Sequence, residues 1–368
     1  MAAPLRARWQ PVWAGANVLK LSRPQGQLPA FYGKICKSDG GHHTLAGVPD
    51  PPASRDGASR RHHSHTTARP ARAPKQHGMR IALFGNIYQT RKNIYVRAVL
   101  DKLRGMKADI CIEREFAAFV GGQLGVDVSQ LDIIDPEALR ADFVISIGGD
   151  GTFLSTAASV GARAIPILGI NTGRLGFLAD VSPEDVDLAL DAICVGDYVV
   201  EHRAVISLSK DGPQLAGYPY ALNEVAVLKH DNSSLIEINT YINGALLANY
   251  LADGLIISTP TGSTGYSLSV GGPIIMPRSG TFCISPVASH SLSSRPVVIC
   301  DDMTLTLKVR SRSHNFLVSV DGRSESLPDD TTITLRRAPY TIGVMKVKHK
   351  DFFDTLRDKM MWGADQRF

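Results

Sequence analysis

The stretch Phe143-Val-Ile-Ser-Ile-Gly-Gly-Asp-Gly-Thr-Phe-Leu154 joins two apolar segments through a turn that contains three glycines. Its first five residues predict a buried strand, and residues 153–158 predict a helix that begins directly after the turn. In such a turn the backbone N–H groups point outward, and the N-terminus of the helix adds a partial positive charge. The stretch therefore predicts a phosphate-binding turn between a strand and a helix.

A single carboxylate, Asp150, lies within this turn. A carboxylate among phosphate-binding amides repels the ligand unless it holds a metal ion or accepts a proton from the attacking group. Phosphoryl transfer is therefore the class of chemistry that the turn favours. The five residues 148–152 leave one alternative open, namely that Asp150 only caps the helix.

Strand and helix patterns alternate on both sides of the turn. Strands are predicted at 80–85, 109–112, 143–147 and 164–170, and helices at 92–103, 115–124 and 183–193. This alternation is typical of a parallel sheet that binds its ligands at the carboxyl ends of the strands. The glycine-rich loops 148–151 and 171–176 both follow such ends, so we expect them at one edge of the sheet.

Near Tyr198 the pattern changes to short β runs. They are predicted at 199–208, 220–228, 235–242, 246–250, 254–258, 303–309, 316–320 and 331–335, with Asn243-Gly244 as a hairpin turn. These runs indicate a second, β-rich domain. Residues 352–361 recover helical spacing, which allows the C-terminal segment to return to the first domain.

A dense polar block, residues 253–274, lies inside the β-rich part. Its strand leads into a loop rich in Ser and Thr, whose hydroxyls suit a ribose or phosphate oxygens, and Tyr266 can stack on a flat ring. Upstream, Asn223-Glu224 opens another β segment and offers an amide and a carboxylate to an adenine or a ribose diol. The alternatives are a Ser/Thr-rich surface turn for the block and a capped turn for the pair.

Composition and charge exclude several classes of protein. The chain has 368 residues, of which 44% are hydrophobic and 20% charged, enough for two globular domains. Uninterrupted apolar runs fall short of the roughly 18 residues that a membrane span needs, and nothing points to a nucleic-acid partner. Five scattered cysteines without a CxxC pair fit reduced thiols, so we expect a cytoplasmic protein.

The first 78 residues differ from the rest of the chain. They carry a surplus of about nine positive charges, whereas the whole chain carries only +5. This basic leader is rich in Pro, Gly, Ser, Arg and His and is expected to be mostly disordered. It is either a transit peptide or the product of a start assigned too far upstream, and the abrupt strand pattern after Met79 favours the second interpretation.

Together the motifs resemble those of the NAD kinase family. The resemblance rests on Gly-Gly-Asp-Gly-Thr at 148–152, Asn-Thr-Gly-Arg-Leu-Gly-Phe at 171–177, Asn223-Glu224 and the long block from Asp253, and it runs from about Met79 to the C-terminus. Diacylglycerol and sphingosine kinases share the first motif, but the long block looks like NAD kinase and not like those relatives.

The resemblance implies both a fold and a reaction. The fold is α/β, with an N-terminal Rossmann-like parallel-sheet domain (79–199, joined by 340–368) and a C-terminal β-rich, β-sandwich-like domain (200–339). The reaction is transfer of the γ-phosphoryl group of ATP to the 2′-hydroxyl of the adenosine ribose of NAD, with a divalent cation, Mg²⁺, accompanying the nucleotide. Family members form dimers or tetramers, so a homo-oligomer is expected.

Site residues carry over by position. Asp150 is the expected proton acceptor, and no protein metal ligands are predicted. The expected phosphate loop is Gly148, Gly149, Gly151 and Thr152. The expected NAD contacts are Asp150, Gly151, Asn223, Glu224, Asp253, Thr264, Gly265, Tyr266, Ser267, Leu268 and Ser269, followed by Phe177, Leu178, Ala288, Asp321 and Arg323.

Two positions depart from the family pattern. Gly265 stands where the family usually has Ala, which adds freedom to the loop. Leu251 stands where many members have Arg or Lys, so that a phosphate contact is either missing or supplied by Lys229 or His230.

Two other functions compete with NAD phosphorylation. One is a lipid kinase that uses the same glycine turn, and the other is a non-catalytic regulator that binds NAD or NADP. The presence of Asp150 argues against the regulator. Three further classes lack their motifs in this sequence: the P-loop kinases, the dinucleotide-dependent dehydrogenases and the serine hydrolases.

Overall fold

A computed structural model describes residues 78–88, 93–173, 176–231, 234–347 and 351–363 of the chain. The predictions made for the basic leader therefore lie outside the described residues. No helix in the described ranges is long and apolar enough to cross a membrane.

A seven-stranded sheet carries the glycine turn. Its order is β3-β2-β1-β4-β5-β19-β6, parallel throughout except that β6 runs antiparallel to β19. Four helices accompany it, as the alternating pattern predicts. In chain order the elements are β1 (Arg80–Gly85), α1 (Asn93–Gly105), β2 (Asp109–Glu113), α2 (Arg114–Gly122), β3 (Asp132–Ile134), β4 (Phe143–Gly148), α3 (Asp150–Val160), β5 (Ile167–Asn171), α4 (Val186–Val195), β6 (Tyr198–Arg203) and, near the C-terminus, β19 (Ile342–Val347).

Both faces of this sheet are covered, which explains its continuous apolar strands. Ile145 and Ile147 of β4 belong to a core that also contains the buried sides of α1, α2 and α4. Val144 points to the opposite face, where it packs in a second core with Phe153 and Ala157 of α3. The central strand β4 is therefore held between helices, and its glycine turn emerges at a rigid edge.

Two antiparallel sheets form the β-rich part. Their orders are β11-β10-β15-β18-β7-β8 and β14-β13-β12-β9-β16-β17. The buried side chains of both sheets share one core, so the sheets pack face to face as a sandwich. The strands are β7 (Ile206–Lys210), β8 (Tyr220–Ala221), β9 (Glu224–Lys229), β10 (Ile236–Ile242), β11 (Ala245–Ala252), β12 (Gly254–Ser258), β13 (Thr281–Val287), β14 (Val297–Cys300), β15 (Leu305–Arg310), β16 (Asn315–Val320), β17 (Arg323–Pro328) and β18 (Thr332–Arg337).

The chain returns to the first sheet at its C-terminal end. Strand β19 pairs with β5 in parallel and with β6 antiparallel. A short helix, α5 (Tyr266–Ser269), follows β12 in the sandwich. The last described helix, α6 (Phe352–Met360), begins with a capping box between Asp351 and Asp354. The ring of Phe352 lies 6.2 Å, centroid to centroid, from that of Phe177 in the loop after β5. The predicted α/β class with a returning C-terminal segment is confirmed.

Several boundaries differ from those predicted, for local reasons. The run 199–208 is not one strand but two, because β6 joins the first sheet and β7 the sandwich, so the predicted domain boundary at 199/200 falls inside β6. Strand β5 begins at Ile167 rather than at 164, since Ala164 has a positive φ of 57°. The predicted helix 183–193 opens with a 3₁₀ turn at Pro183–Asp185 before α4.

The strand–loop contact beside β5 can be tested with Gly169. A Cβ there would lie 2.7 Å from Ala179 Cα and 2.8 Å from the carbonyl oxygen of Leu178. Backbone atoms cannot easily move to make room for this Cβ. We therefore expect Gly169→Ala to lower the free energy of unfolding by about 1–3 kcal/mol, measured by urea denaturation. Gly122→Ala is the matched control, because no described atom lies within 4 Å of its Cβ. Equal stability of the two variants would contradict this tight packing.

Candidate functional site

The glycine turn has the predicted strand–turn–helix geometry. β4 ends at Gly148, Gly149 is the N-cap of the eleven-residue α3, and Asp150 is its first residue. The first N–H groups of a helix have no intrahelical acceptor, and the helix dipole favours an anion there. Apart from the adjoining residues and the backbone of α3 itself, no atom of the described residues lies within 4 Å of a Cβ placed on Gly149 or Gly151. Phosphate oxygens therefore have space to approach the backbone over these two glycines.

The carboxylate of Asp150 does not cap α3 but binds the neighbouring loop. Its Oδ2 accepts a hydrogen bond from the N–H of Phe177 at 2.9 Å. Its Oδ1 accepts from the N–H groups of Leu178 and Ala179, each at 3.1 Å. Lys359 of α6 contacts Oδ2 through its Nζ at 3.5 Å. One side chain thus joins the glycine turn, the loop after β5 and the C-terminal helix.

Gly176 makes this connection possible. A Cβ at position 176 would lie 1.9 Å from Asp150 Oδ1, so any side chain there would displace the carboxylate. The sequence indicates both glycine-rich loops and their common edge. It does not indicate that Asp150 is the residue that joins them.

The Asn223–Glu224 pair lies beside the same sheet. Leu222, the preceding residue, packs in the core that contains Phe153 of α3 and Leu178 of the loop after β5. Asn223 Oδ1 and Glu224 Oε2 are both buried, and neither has a hydrogen-bond partner among the described residues. Buried polar atoms are normally paired, so these two oxygens are suited to binding a polar ligand.

Asp321 fixes the backbone of that pair. Its carboxylate accepts hydrogen bonds from the N–H groups of Leu222, Asn223 and Glu224, at 2.7, 2.9 and 3.1 Å. Arg323 bonds instead to the carbonyl oxygens of Val320 and Tyr220. Asp321 and Arg323 are both predicted to contact NAD. In this structure their side chains bond instead to the backbone around the Asn223–Glu224 pair.

Burial affects the protonation of the Glu224 carboxyl group in this pair. Desolvation, together with the nearby Asp321 carboxylate, raises the pKa of Glu224 to about 8. Burial also raises the pKa of Asp321, although three backbone N–H groups oppose that shift. At neutral pH Glu224 is therefore protonated and can donate a hydrogen bond as well as accept one.

The hydroxyl-rich block divides into two groups of side chains. Thr259, Ser263 and Ser267 are buried and hold the loop together, for example through Thr259 Oγ1 to the carbonyl of Leu222 at 2.6 Å. Ser267 bonds to Ser285, so this predicted NAD contact has a structural partner. The partly exposed residues are Thr264, Gly265, Tyr266 and Leu268, and Ser269 is exposed.

Gly265 lies against the Asn223–Glu224 pair. A Cβ on Gly265 would lie 2.9 Å from Glu224 Oε2 and 3.4 Å from Asn223 Nδ2. The glycine that departs from the family pattern therefore leaves room beside the buried carboxyl group.

Asp253 and Ala288 lie at the other end of the sandwich strands. Ser258 pairs with Glu224, whereas Gly254 pairs with Leu228. Four residues along a strand span about 13 Å, so Asp253 and the adjacent Ala288 do not contact the Asn223–Glu224 pair directly. Tyr266 lies between them, since its pKa is raised by burial and also by the charges of both Asp253 and Glu224. Asp253 Oδ1 instead contacts Lys229 Nζ at 2.6 Å. Lys229 is one of the two cations predicted to make the phosphate contact that Leu251 cannot make.

Lys359 is the site residue that the sequence reasoning missed. Its ammonium also lies 4.5 Å from the centroid of the Phe177 ring, within cation–π range. The only signal in the sequence is the expected return of the C-terminal helix, which gives no position for a single lysine. Within the described ranges, no three His, Cys, Asp or Glu residues cluster in a way that could hold a metal ion.

Comparison with known families gives two matches. A model described as the ATP-NAD kinase N-terminal domain matches residues 124–198. A model described as the ATP-NAD kinase C-terminal domain matches residues 222–347.

Two similar curated proteins are NAD kinases of bacteria. An NAD kinase of Bacteroides fragilis (strain YCH46) is 56% identical over 289 residues, which cover 78% of this chain and 100% of that protein. An NAD kinase of Porphyromonas gingivalis (strain ATCC 33277) is 42% identical over 288 residues, covering 78% and 99%.

Two solved structures are similar in fold. The yeast NADH kinase complexed with NADH has a TM-score of 0.71 at 21% identity, covering 79% of this chain and 90% of its own. An NAD kinase from Archaeoglobus fulgidus in complex with ATP has a TM-score of 0.60 at 26% identity, covering 76% and 99%.

The buried Glu224 makes a testable contribution to pH dependence. In the folded chain it keeps its proton up to about pH 8, whereas in the unfolded chain it ionises near 4.5. Folding therefore loses stability as the pH rises between these values, because the unfolded state releases the proton first. Glu224→Gln removes this titration. The stability of the wild type relative to Glu224→Gln should fall by at least about 1 kcal/mol between pH 5 and pH 8 in urea unfolding.

The exposed Glu184 provides the control for that experiment. Glu184→Gln should keep the wild-type dependence of stability on pH. A constant difference between the wild type and Glu224→Gln across this range would mean that Glu224 is not buried in its protonated form.

Proposed function

This chain belongs to the NAD kinase family, and on that basis we propose that it transfers the γ-phosphoryl group of ATP to the 2′-hydroxyl of the adenosine ribose of NAD, giving NADP. One observation carries the proposal for this particular site. The core that contains Phe153 and Leu178, next to the phosphate-binding turn and its carboxylate, also contains Leu222. Leu222 precedes Asn223 and Glu224, whose buried oxygens Oδ1 and Oε2 have no partner among the described residues. Neither the lipid kinase nor the non-catalytic regulator finds support among the relatives.

The acceptor is held by the Asn223–Glu224 pair. A ribose diol offers two donors and two acceptors, and a neutral Glu224 beside an amide can pair with both kinds. Asp321 positions the pair through three backbone bonds. Thr264 and Tyr266 are partly exposed beside it, which supports their predicted roles in binding NAD. Asp253 and Ala288 stay in the proposal as NAD contacts farther along the dinucleotide, on the other side of Tyr266.

The donor phosphates are proposed to lie over the glycine turn. The open backbone at Gly149 and Gly151 and the N-terminus of α3 favour anions there. Mg²⁺ is commonly bound by substrate phosphates with one or two carboxylates rather than by a protein cage. The cation would therefore be held mainly by the donor phosphates, and it would neutralise part of their charge. Asp150 is not assigned as its ligand, because its oxygens already accept bonds from residues 177–179 and Lys359.

Asp150 is the proposed proton acceptor. The ribose 2′-oxygen attacks the γ-phosphorus, the bond from that phosphorus to the bridging oxygen breaks, and ADP leaves. The hydroxyl proton passes to the Asp150 carboxylate, which its bonds to the 177–179 backbone hold in one orientation. A positioned base of this kind contributes about 10²–10⁴-fold to the rate.

We also propose a cytoplasmic homo-oligomer. The four cysteines in the described ranges are free thiols, and the proposed substrates ATP and NAD are cytoplasmic metabolites. Strands β11 and β14 form edges of the two sandwich sheets, where Leu246, Leu251 and Val298 are exposed. Exposed apolar edge strands are suited to pairing with a second copy, as a dimer or tetramer.

The role of Asp150 is tested by Asp150→Asn. We expect NAD binding, measured by calorimetry, to be kept, and turnover to fall at least ~10²-fold in an assay of NADP formation, because the base is lost. Asp135→Asn is the control, since Asp135 is an exposed carboxylate paired with Arg114 on α2. Near-normal turnover of Asp150→Asn would remove Asp150 from the chemistry.

The acceptor is tested directly with the full chain. Incubation with ATP, Mg²⁺ and either NAD or a diacylglycerol should yield phosphorylated product from NAD alone. Transfer to the diacylglycerol would favour the lipid kinase, and binding of NAD without transfer would favour the regulator.

A further inference from the structure

Lys359 lies in the reaction site without an assigned role. Its ammonium contacts Asp150 Oδ2 at 3.5 Å and the Phe177 ring at 4.5 Å. Its side chain remains one-third exposed, so solvent and ligands can reach it. The following inference rests on the proposed NAD kinase activity.

The acceptor capacity of Asp150 is already fully used. An ionised carboxylate has about four lone-pair positions, two on each oxygen. Leu178 and Ala179 occupy Oδ1, while Phe177 and Lys359 occupy Oδ2. The incoming ribose hydroxyl therefore has to displace one of these donors. The contact of Lys359 is the longest of the four and is made by a flexible side chain, so it is the one that yields most easily.

The displaced ammonium stays next to the phosphate-binding turn. Helix α6 holds the backbone of Lys359 through the capping box at Asp351, the buried Leu356 and the contact of Phe352 with Phe177. The four-carbon stem of a lysine permits the head group to move while the helix stays in place. The space over Gly149 and Gly151 adjoins Asp150, and an ammonium there forms charge-assisted hydrogen bonds to phosphate oxygens.

We propose that Lys359 binds the phosphoryl donor: it neutralises Asp150 in the free protein and moves its ammonium to the γ-phosphate oxygens of ATP when the ribose hydroxyl takes its place on Oδ2. The ammonium then compensates the phosphate charge, and the carboxylate becomes neutral when it takes the proton of the ribose hydroxyl. In the transfer step the ammonium stabilises the negative charge on the phosphoryl oxygens, as preorganised cations do in such reactions.

Three variants of the full chain test the proposal. Lys359→Met keeps the apolar stem on Phe177 but removes the charge, Lys359→Arg keeps the charge, and Arg357→Met removes a cation of the same helix that pairs only with Asp354 among the described residues. We expect Lys359→Met to lose 10²–10³-fold in kcat/KM for ATP, with KM for NAD changed less than about threefold. Lys359→Arg should restore part of the loss, and Arg357→Met should behave as the wild type.

Donor binding is measured separately by calorimetry, with a non-hydrolysable ATP analogue, Mg²⁺ and saturating NAD, so that the ribose hydroxyl is present. Lys359→Met should bind the analogue at least about tenfold more weakly than the wild type, at an unchanged unfolding temperature. Equal affinity for the analogue, a loss confined to KM for NAD, or a loss that follows a lowered unfolding temperature would each overturn the proposal. A wild-type chain that forms no NADP would instead refute the proposed function, while the analogue titration would still report on Lys359.

Discussion

The site depends on one carboxylate that accepts hydrogen bonds from three successive backbone amides. Asp150 leaves the turn after β4 and binds the N–H groups of residues 177–179 in the loop after β5. Two loops that the sheet brings to one edge are thereby locked in a single relative position. Bonds from backbone N–H groups to an ionised group are stronger than neutral ones, so this link fixes the orientation of the proposed base as well as the loop.

The same arrangement recurs on the acceptor side. Asp321 accepts from the N–H groups of residues 222–224 as Asp150 does from those of 177–179. Both carboxylates are partly exposed, so exposure does not separate their roles. They differ in their neighbours: Asp321 lies behind the Asn223–Glu224 backbone, whereas Asp150 lies at the glycine turn, beside the Lys359 ammonium. Asp321 therefore positions the pair, and Asp150 is the one that we propose for the chemistry.

Local sequence patterns predicted most of the strands and helices but few of the contacts between residues that lie far apart in the sequence. The strands β1, β2 and β4 and the glycine turn follow from apolar runs and glycine spacing, which act over a few residues. Five strands lie outside the predicted runs: β3, β13, β14, β17 and β19. Strand β17 alternates small and polar residues on an exposed edge, and nothing local marks the pairing of β19 with β5. Likewise the motifs identify Asp150 and Asn223–Glu224, whereas Lys359 reaches the site only through the path of the whole chain, which no short motif encodes.

The return of the C-terminal segment links the folding of the chain to its chemistry. Strand β19 lies between β5 and β6 in the first sheet, and the whole sandwich is inserted in the sequence between β6 and β19. Contacts between distant parts of a chain form slowly, since a long loop must close before they are made. During synthesis, the first sheet therefore stays incomplete beside β5 until β19 has been added. The glycine turn is made long before α6, so the contact between Lys359 and Asp150 is one of the later contacts of this site to form.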